Sequence, residues 1–276
     1  MFDCHIHMLL DGQDYRVAIG RHSIKPDVQW IARTLQTYQS LGYTYLRDGG
    51  DRWGAGQTAR KLAPSYGIVY RTPLAPLCKA GHYGSFIGKT YENLKEYAAL
   101  VVQAKEAGAD FIKIMISGLM DFSQYRVLTE TGLKPAEIRE LIHIAHQEGM
   151  AVMAHANGAE TVEAAAEAGV ESVEHGAYLN GDALAAMEAS GTVWVPTLST
   201  IGNLRGKGRF PEKAVAQILD SAMENVSRYG GLLAAGTDAG AWAVPHGSRT
   251  EEVLLAQAGV NAQRLAQGAA RIREVF

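Results

Sequence analysis

The chain has 276 residues, 47% hydrophobic and 20% charged, with a formal net charge of -3 at pH 7. That length suits one large α/β domain with a sizeable core. No Lys/Arg cluster interleaved with aromatics is present, and no apolar run approaches the roughly 20 residues of a membrane span, which argues against nucleic-acid and membrane partners. The N-terminal residues lack the basic and apolar stretches of a signal peptide. Only two cysteines, Cys4 and Cys78, occur, without C-x-x-C spacing, so a reducing cytoplasmic compartment is expected.

Apolar runs of strand length alternate with helical patterns along nearly the whole chain. The first run, MFDCHIHM, places Asp3, His5 and His7 on one face of a strand, because residues two apart point the same way. Two neighbouring imidazoles can chelate a divalent metal, although this stretch alone reads more simply as an ordinary strand with hydrogen-bonded histidines. The other strand candidates are residues 44–47, 68–77, 111–116, 151–155, 172–175, 192–195 and 232–238. Helical patterns cover residues 27–41, 58–63, 91–107, 134–148, 158–168, 181–189 and 211–229, then 250–258 and 261–276. Gly42, Gly108, Gly149, Gly169 and Gly191 stand where helices should stop before the next strand. Eight strands, each followed by a helix, with no break in composition, predict a single-domain α/β protein over residues 1–276. The expected form is a (β/α)8 TIM barrel with an extra C-terminal helix, either a lid on the lower face or a contact surface. An open doubly wound sheet would need a glycine-rich nucleotide turn after its first strand, and none is there. Residues 11–25 and 79–89 are longer than bare connections require, as functional loops often are.

Polar residues gather at the strand ends. In FIKIMISG, Phe111, Lys113 and Met115 share a face, and a lysine inside an apolar strand is costly unless something uses it. The fifth strand ends at His155, the sixth at His175 and the eighth at Asp238. Barrel active sites open at the C-terminal ends of the strands, so these groups and the His5/His7 pair should meet at one mouth. Each histidine alone would read as structural; six such residues in register would not.

In DCHIHM, YLRDGG, KAGHYG, FIKIMISG, MAHANG, VEHGAYL and GTDAGAWAVPHG the chain resembles the amidohydrolase superfamily of metal-dependent hydrolase barrels. Within it, the resemblance is to the branch of imidazolonepropionase and the Xaa-Pro and related dipeptidases, and it runs through nearly the entire chain. It implies two divalent metal ions, with zinc expected: one held by His5, His7 and Asp238, the other by His155 and His175. Lys113 would bridge them as a side chain carboxylated by CO2. Burial lowers a lysine pKa and so supplies the neutral amine that takes up carbon dioxide. A hydroxide shared by two metals roughly 3.5–4 Å apart would attack a carbonyl near neutral pH, with Asp238 carrying its proton to the departing amine. Members of this branch usually have a strand-rich segment before the first histidine pair, closing into a small β-sandwich with the C-terminal tail. This sequence begins at the histidine strand and stops at Phe276, so the sandwich is expected to be missing. Deaminase-like members carry a glutamate three residues after the strand-five histidine, where this chain has Gly158.

His82, in KAGHYG, is a candidate donor to the substrate carbonyl or oxyanion, on even terms with a plain surface-loop histidine. Tyr83, Tyr125, Arg126 and Tyr178 lie just beyond strand ends as candidate substrate-binding residues. His246 is expected to fix its loop. His143 and His146 lack a third ligand and read as a solvated helix face. Arg47 and Asp48 read as an internal ion pair, and His22 is uninformative. The expected activity is hydrolysis of an amide C–N bond in a small molecule such as a dipeptide or N-acyl amino acid. A lactone, cyclic amide or phosphoester on the same metal pair is the alternative, as is a non-catalytic metal-binding subunit. A small-molecule substrate is the expected partner, and a homo-oligomer is compatible with the sequence.

Overall fold

The computed structural model describes residues 1–276. Nine short strands alternate with eleven α-helices. The strands are β1 (Phe2–Ile6), β2 (Tyr45–Asp48), β3 (Val69–Arg71), β4 (Leu77–Lys79), β5 (Lys89–Tyr91), β6 (Ile112–Met115), β7 (Val152–Ala156), β8 (Ser172–His175) and β9 (Val193–Val195). The helices are α1 (Tyr15–His22), α2 (Val28–Ser40), α3 (Ala55–Leu62), α4 (Leu94–Glu106), α5 (Pro135–Gln147), α6 (Ala159–Glu167), α7 (Gly181–Ser190), α8 (Ser199–Gly202), α9 (Glu212–Arg228), α10 (Thr250–Gln257) and α11 (Ala262–Val275). All strand pairings are parallel, in two sheets of order β1-β2-β3 and β5-β4-β6-β7-β8-β9.

Local chemistry explains several helix starts. The side chains of Asp27, Asn93, Asn180 and Asn261 each accept a hydrogen bond from a first-turn N–H, at Trp30, Glu96, Ala183 and Arg264 respectively. Gly191 ends α7 in the left-handed conformation, φ 70°, as a glycine at that position readily does.

Two strand expectations are corrected. Residues 68–77 do not run as one strand. Pro73 and Pro76 lack the N–H a ladder requires, and the segment divides into β3 and β4. Residues 232–238 form no regular strand, yet their backbone is bonded on both sides. Trp194 N donates to Leu232 O and Ala234 N to Trp194 O, at 2.9 and 3.0 Å, while Cys4 N donates to Ala235 O and Asp238 N to His5 O, at 2.9 and 2.7 Å. Gly236 permits this approach: a Cβ there would lie 2.5 Å from Val195 and 2.8 Å from the His5 Cβ. At the other edge, Asp110 N donates to Thr72 O at 3.0 Å. Three elements were not foreseen: β5, the short α8, and α1 inside the polar loop 11–25.

The largest apolar cluster lies between the six-stranded sheet and its helices, and a second joins β1 and β2 to α1, α2 and α3. A third packs Tyr45, Phe111, Met153, Val193 and Val195 against Ile272 and Phe276 of the α11 region. The Phe111 and Phe276 rings meet edge to face at 5.1 Å. The last helix therefore covers the start of the strands, opposite the ends that carry the polar residues.

Candidate metal centre

Parallel register aligns the strand ends. Met115 of β6 lies opposite His155 of β7, and Ala156 of β7 opposite His175 of β8. His5, Lys113 and His155 are almost fully buried within or at the ends of these strands, and Asp238 is 7% exposed. His5 Nε2 lies 3.4 Å from His7 Nε2 and 3.4 Å from Asp238 Oδ1, which is 3.3 Å from His7 Nε2. The donor atoms of His5, His175 and Asp238 all fall within 4.8 Å of one another. The His175 ring is 5.2 Å from that of His5 and 4.6 Å from that of His155. Gly49 makes room for His7, since a Cβ there would come within 2.3 Å of the imidazole.

Burial dominates the protonation of these groups. It holds His7 and His155 down to about 3, and His5 and His175 well below the ordinary histidine value. Desolvation brings Lys113 down to about 8 and pushes Asp238 up to about 8. Neutral imidazoles are ligand forms, and a lysine brought down to about 8 offers far more neutral amine than an exposed one.

Three buried polar atoms here have no hydrogen-bond partner: His7 Nδ1, Lys113 Nζ and Asp238 Oδ1. Unsatisfied buried groups are rare in proteins, and Lys113 Nζ and Asp238 Oδ1, gathered with the Nε2 atoms of His5 and His7, fit a site built for cations. Hydrogen bonds turn the free nitrogens inward. His5 Nδ1 donates to Glu174 Oε2 at 2.7 Å, which leaves Nε2 for a metal. His155 Nε2 faces the Gly118 carbonyl at 3.1 Å, so Nδ1 is its free atom. His175 Nδ1 is occupied by Thr197 Oγ1 at 2.7 Å. His175, Thr197 and Asp238 all have left-handed backbones, with φ of 70°, 48° and 55°. Such strain in non-glycine residues is typical of functional sites.

Glu174 is one residue that sequence reasoning missed. Its Oε1 accepts from Arg47 Nη2 at 2.8 Å and from Ser172 Oγ at 2.6 Å, and Arg47 Nε donates to Cys4 O at 2.7 Å. The ion pair expected of Arg47 therefore exists, but with Glu174 rather than Asp48. Adjacent residues of a strand face opposite ways, and Asp48 instead accepts from Met8 N and Thr72 Oγ1, at 3.0 and 3.1 Å. Like Lys113, Glu174 is a charge inside an apolar strand, and that is the signal that marks it in the sequence. Asn157 was also missed: its Nδ2 donates to Gly118 O at 3.0 Å and its Oδ1 accepts from Ala177 N at 2.9 Å.

A cavity of about 790 Å³ has the five ring and chain donors His5, His7, Lys113, His155 and His175, with Asp238, among its lining residues. Tyr83 lines it as well, its ring 4.8 Å from that of His155. His82 stands off the lining, 34% exposed, with Nδ1 3.7 Å from Glu130 Oε2. Tyr125, Arg126 and Tyr178 are likewise off the lining and pack on one another, with the tyrosine rings 5.8 Å apart and the Arg126 guanidinium 5.4 Å from Tyr125. His246 fixes its loop through Tyr38 Oη and Leu10 O, at 3.0 and 2.9 Å. His143 bonds Gln147 on an exposed helix face, His146 pairs with Glu171, and His22 accepts from Asp27 N.

A chain of alternating strands and helices with this donor set defines a class. Residues 57–265 match the Amidohydrolase family, and the chain belongs to that family of hydrolytic enzymes. Among solved structures, it is similar to a Xaa-Pro dipeptidase with bound methionine, at 25% identity and a TM-score of 0.77, covering 99% of this chain and 75% of that one. Ochratoxinase of Aspergillus niger is 23% identical over 282 residues, covering 86% of this chain and 57% of that protein. An uncharacterized protein of Mycobacterium tuberculosis is 34% identical over 130 residues, 44% of this chain and 35% of that protein. The chain thus spans between a third and somewhat over half of the length of these two relatives.

Proposed function

We propose that the protein hydrolyses an amide C–N bond in a small molecule, of the dipeptide or N-acyl amino acid class. Lys113 carries this reading: a fully buried amine without a partner, beside four neutral histidines and a carboxylate, is the group that carbon dioxide would convert into a bridging anion. His5, His7 and Asp238 would hold one divalent metal and His155 and His175 the other, with carboxylated Lys113 between them and zinc as the expected ion. We read the architecture as a single-domain (β/α)8 barrel, supported by the bonds of residues 232–239 to both β9 and β1. A cytoplasmic setting accords with the two free thiols, Cys4 and Cys78. No helix is long and apolar enough to cross a membrane.

When bound, the metal pair supplies Lewis-acid polarisation of the scissile carbonyl and acidification of water. Asp238 moves the proton. Placed beside the Nε2 atoms of His5 and His7 in the cavity, it would accept a proton from the attacking water and return it to the amine nitrogen as the C–N bond breaks. Glu174 and Thr197 hold the His5 and His175 rings so that their free nitrogens stay in place. His82, the expected donor to the carbonyl oxygen, stands off the cavity lining beside Glu130 and would have to swing inward from the rim loop to reach it. The cavity is of the size that encloses a compact organic molecule.

A panel of dipeptides, N-acyl amino acids, lactones and phosphotriesters tests the reading on metal-loaded protein. Some amide should reach kcat/KM of about 10⁴ M⁻¹s⁻¹ or more. Lactones or phosphotriesters outperforming every amide would overturn it.

A further inference from the structure

Two arginines line the cavity, Arg16 and Arg209, and their surroundings differ. Arg16 lies two residues after Asp14, a cavity-lining carboxylate that accepts from the Arg16 backbone N–H at 2.8 Å, and its own Nε donates to Tyr15 Oη at 3.2 Å. A second carboxylate arriving there would meet that negative charge. Arg209 pairs with no carboxylate. Its guanidinium carbon sits 4.3 Å from the Trp242 ring centroid and 5.4 Å from that of Phe210. A guanidinium held over an indole keeps its in-plane N–H edges available, the geometry that grips a carboxylate with two parallel hydrogen bonds.

Aromatic rings continue the wall from Arg209. Phe210 meets Trp242 edge to face at 6.3 Å and packs at a tilt on Phe122 at 5.4 Å. They come from three segments, after β6, before α9 and after residues 232–239, and all three line the cavity that contains the candidate metal ligands. A free cation beside an apolar wall suits a molecule carrying a carboxylate next to a bulky side chain.

We propose that Arg209 anchors the substrate's carboxylate and that Phe122, Phe210 and Trp242 receive the adjoining apolar side chain. This rests on the amide-hydrolase reading and narrows it to substrates whose released amino acid is large and apolar, such as leucine, methionine or phenylalanine. Arg126, off the lining, is replaced in that role.

Calorimetric titration of metal-loaded protein with N-acetyl-L-phenylalanine and its neutral carboxamide tests the subsite without turnover. A carboxylate can also ligate metal, so the informative quantity is the change on Arg209→Met at equal metal content and equal melting temperature. The acid should bind at least tenfold more weakly to Arg209→Met, with the carboxamide changed less than threefold and part of the loss restored in Arg209→Lys. On hydrolysed N-acyl amino acids, Arg209→Met should raise KM at least tenfold and lower kcat less. Trp242→Ala should erase most of the preference for a phenylalanine over an alanine side chain. Equal acid affinity in wild type and Arg209→Met overturns the subsite, whatever the protein hydrolyses. Loss of acid affinity in Arg209→Met, with no amide cleaved by wild type, instead upholds the subsite and overturns amide hydrolysis.

Discussion

His5 Nδ1 and Glu174 Oε2 lie 2.7 Å apart, joining the first strand of the chain to β8 across 169 residues. This bond decides which nitrogen of His5 faces the candidate metal centre, and the carboxylate makes that imidazole a stronger base. Removing Glu174 alone would strand the buried Arg47 charge, so the informative variant is Glu174→Gln combined with Arg47→Met. It should bind zinc about 10- to 100-fold more weakly, read by competition with a chelator of known affinity. An unchanged affinity in a folded double variant would remove Glu174 from the site.

Lys113 Nζ is the buried amine without a partner. Purified wild-type protein should carry close to two divalent metals per chain by elemental analysis. Lys113→Ala should lose most activity and much of its metal, with partial recovery when a short carboxylic acid is added to bridge the ions. Full activity with one metal in Lys113→Ala would sink the binuclear reading.

Asp238 adopts φ 55°, a conformation that asparagine tolerates better than most residues, so Asp238→Asn is a change of chemistry rather than of backbone. Turnover should fall by orders of magnitude, while metal content falls less than in His5→Ala or His175→Ala. Near-normal turnover would take Asp238 out of the proton transfer.

Glu251 tests the electrostatics behind the site. It is fully buried and accepts from Ser199 N and Oγ at 2.7 and 2.9 Å, and burial pushes it up to about 8 from an ordinary 4.5. The folded state therefore holds this proton after the unfolded chain has released it. Stability from this group is full below about 4.5 and is lost as pH rises through about 8. Glu251→Gln keeps an acceptor for Ser199 and cannot ionise. Its melting temperature relative to wild type should climb between pH 5 and pH 8 and then level off. A pH-independent difference would show that Glu251 is not titrating in that window.

Periodicity and residue type in the sequence determined most of the order of strands and helices, though not α1, β5, α8 or the division of residues 68–77, and the six candidate metal ligands stood out as polar residues at apolar strand ends. Both signals are local: period-two and helical patterns report which face is buried, and a charged group in an apolar run reports an unmet cost. Only the tertiary structure decided what surrounds those ligands. Arg47 reads beside Asp48 along the chain, but a strand turns neighbours apart, and Glu174 is brought to Arg47 and His5 by the packing of strands distant in sequence. His175 and Glu174, adjacent in β8, both reach the site because the φ of 70° at His175 turns its side chain out of strand alternation, which no pattern of residue types reveals. The cavity wall follows the same logic. Arg126 and Arg209 are alike as loop arginines in sequence, and loop conformation alone stacks Arg126 on Tyr125 off the cavity and sets Arg209 on Trp242 within it. Loop paths are set by long-range packing rather than by short-range periodicity, so the substrate side of this site could be read only from the folded chain.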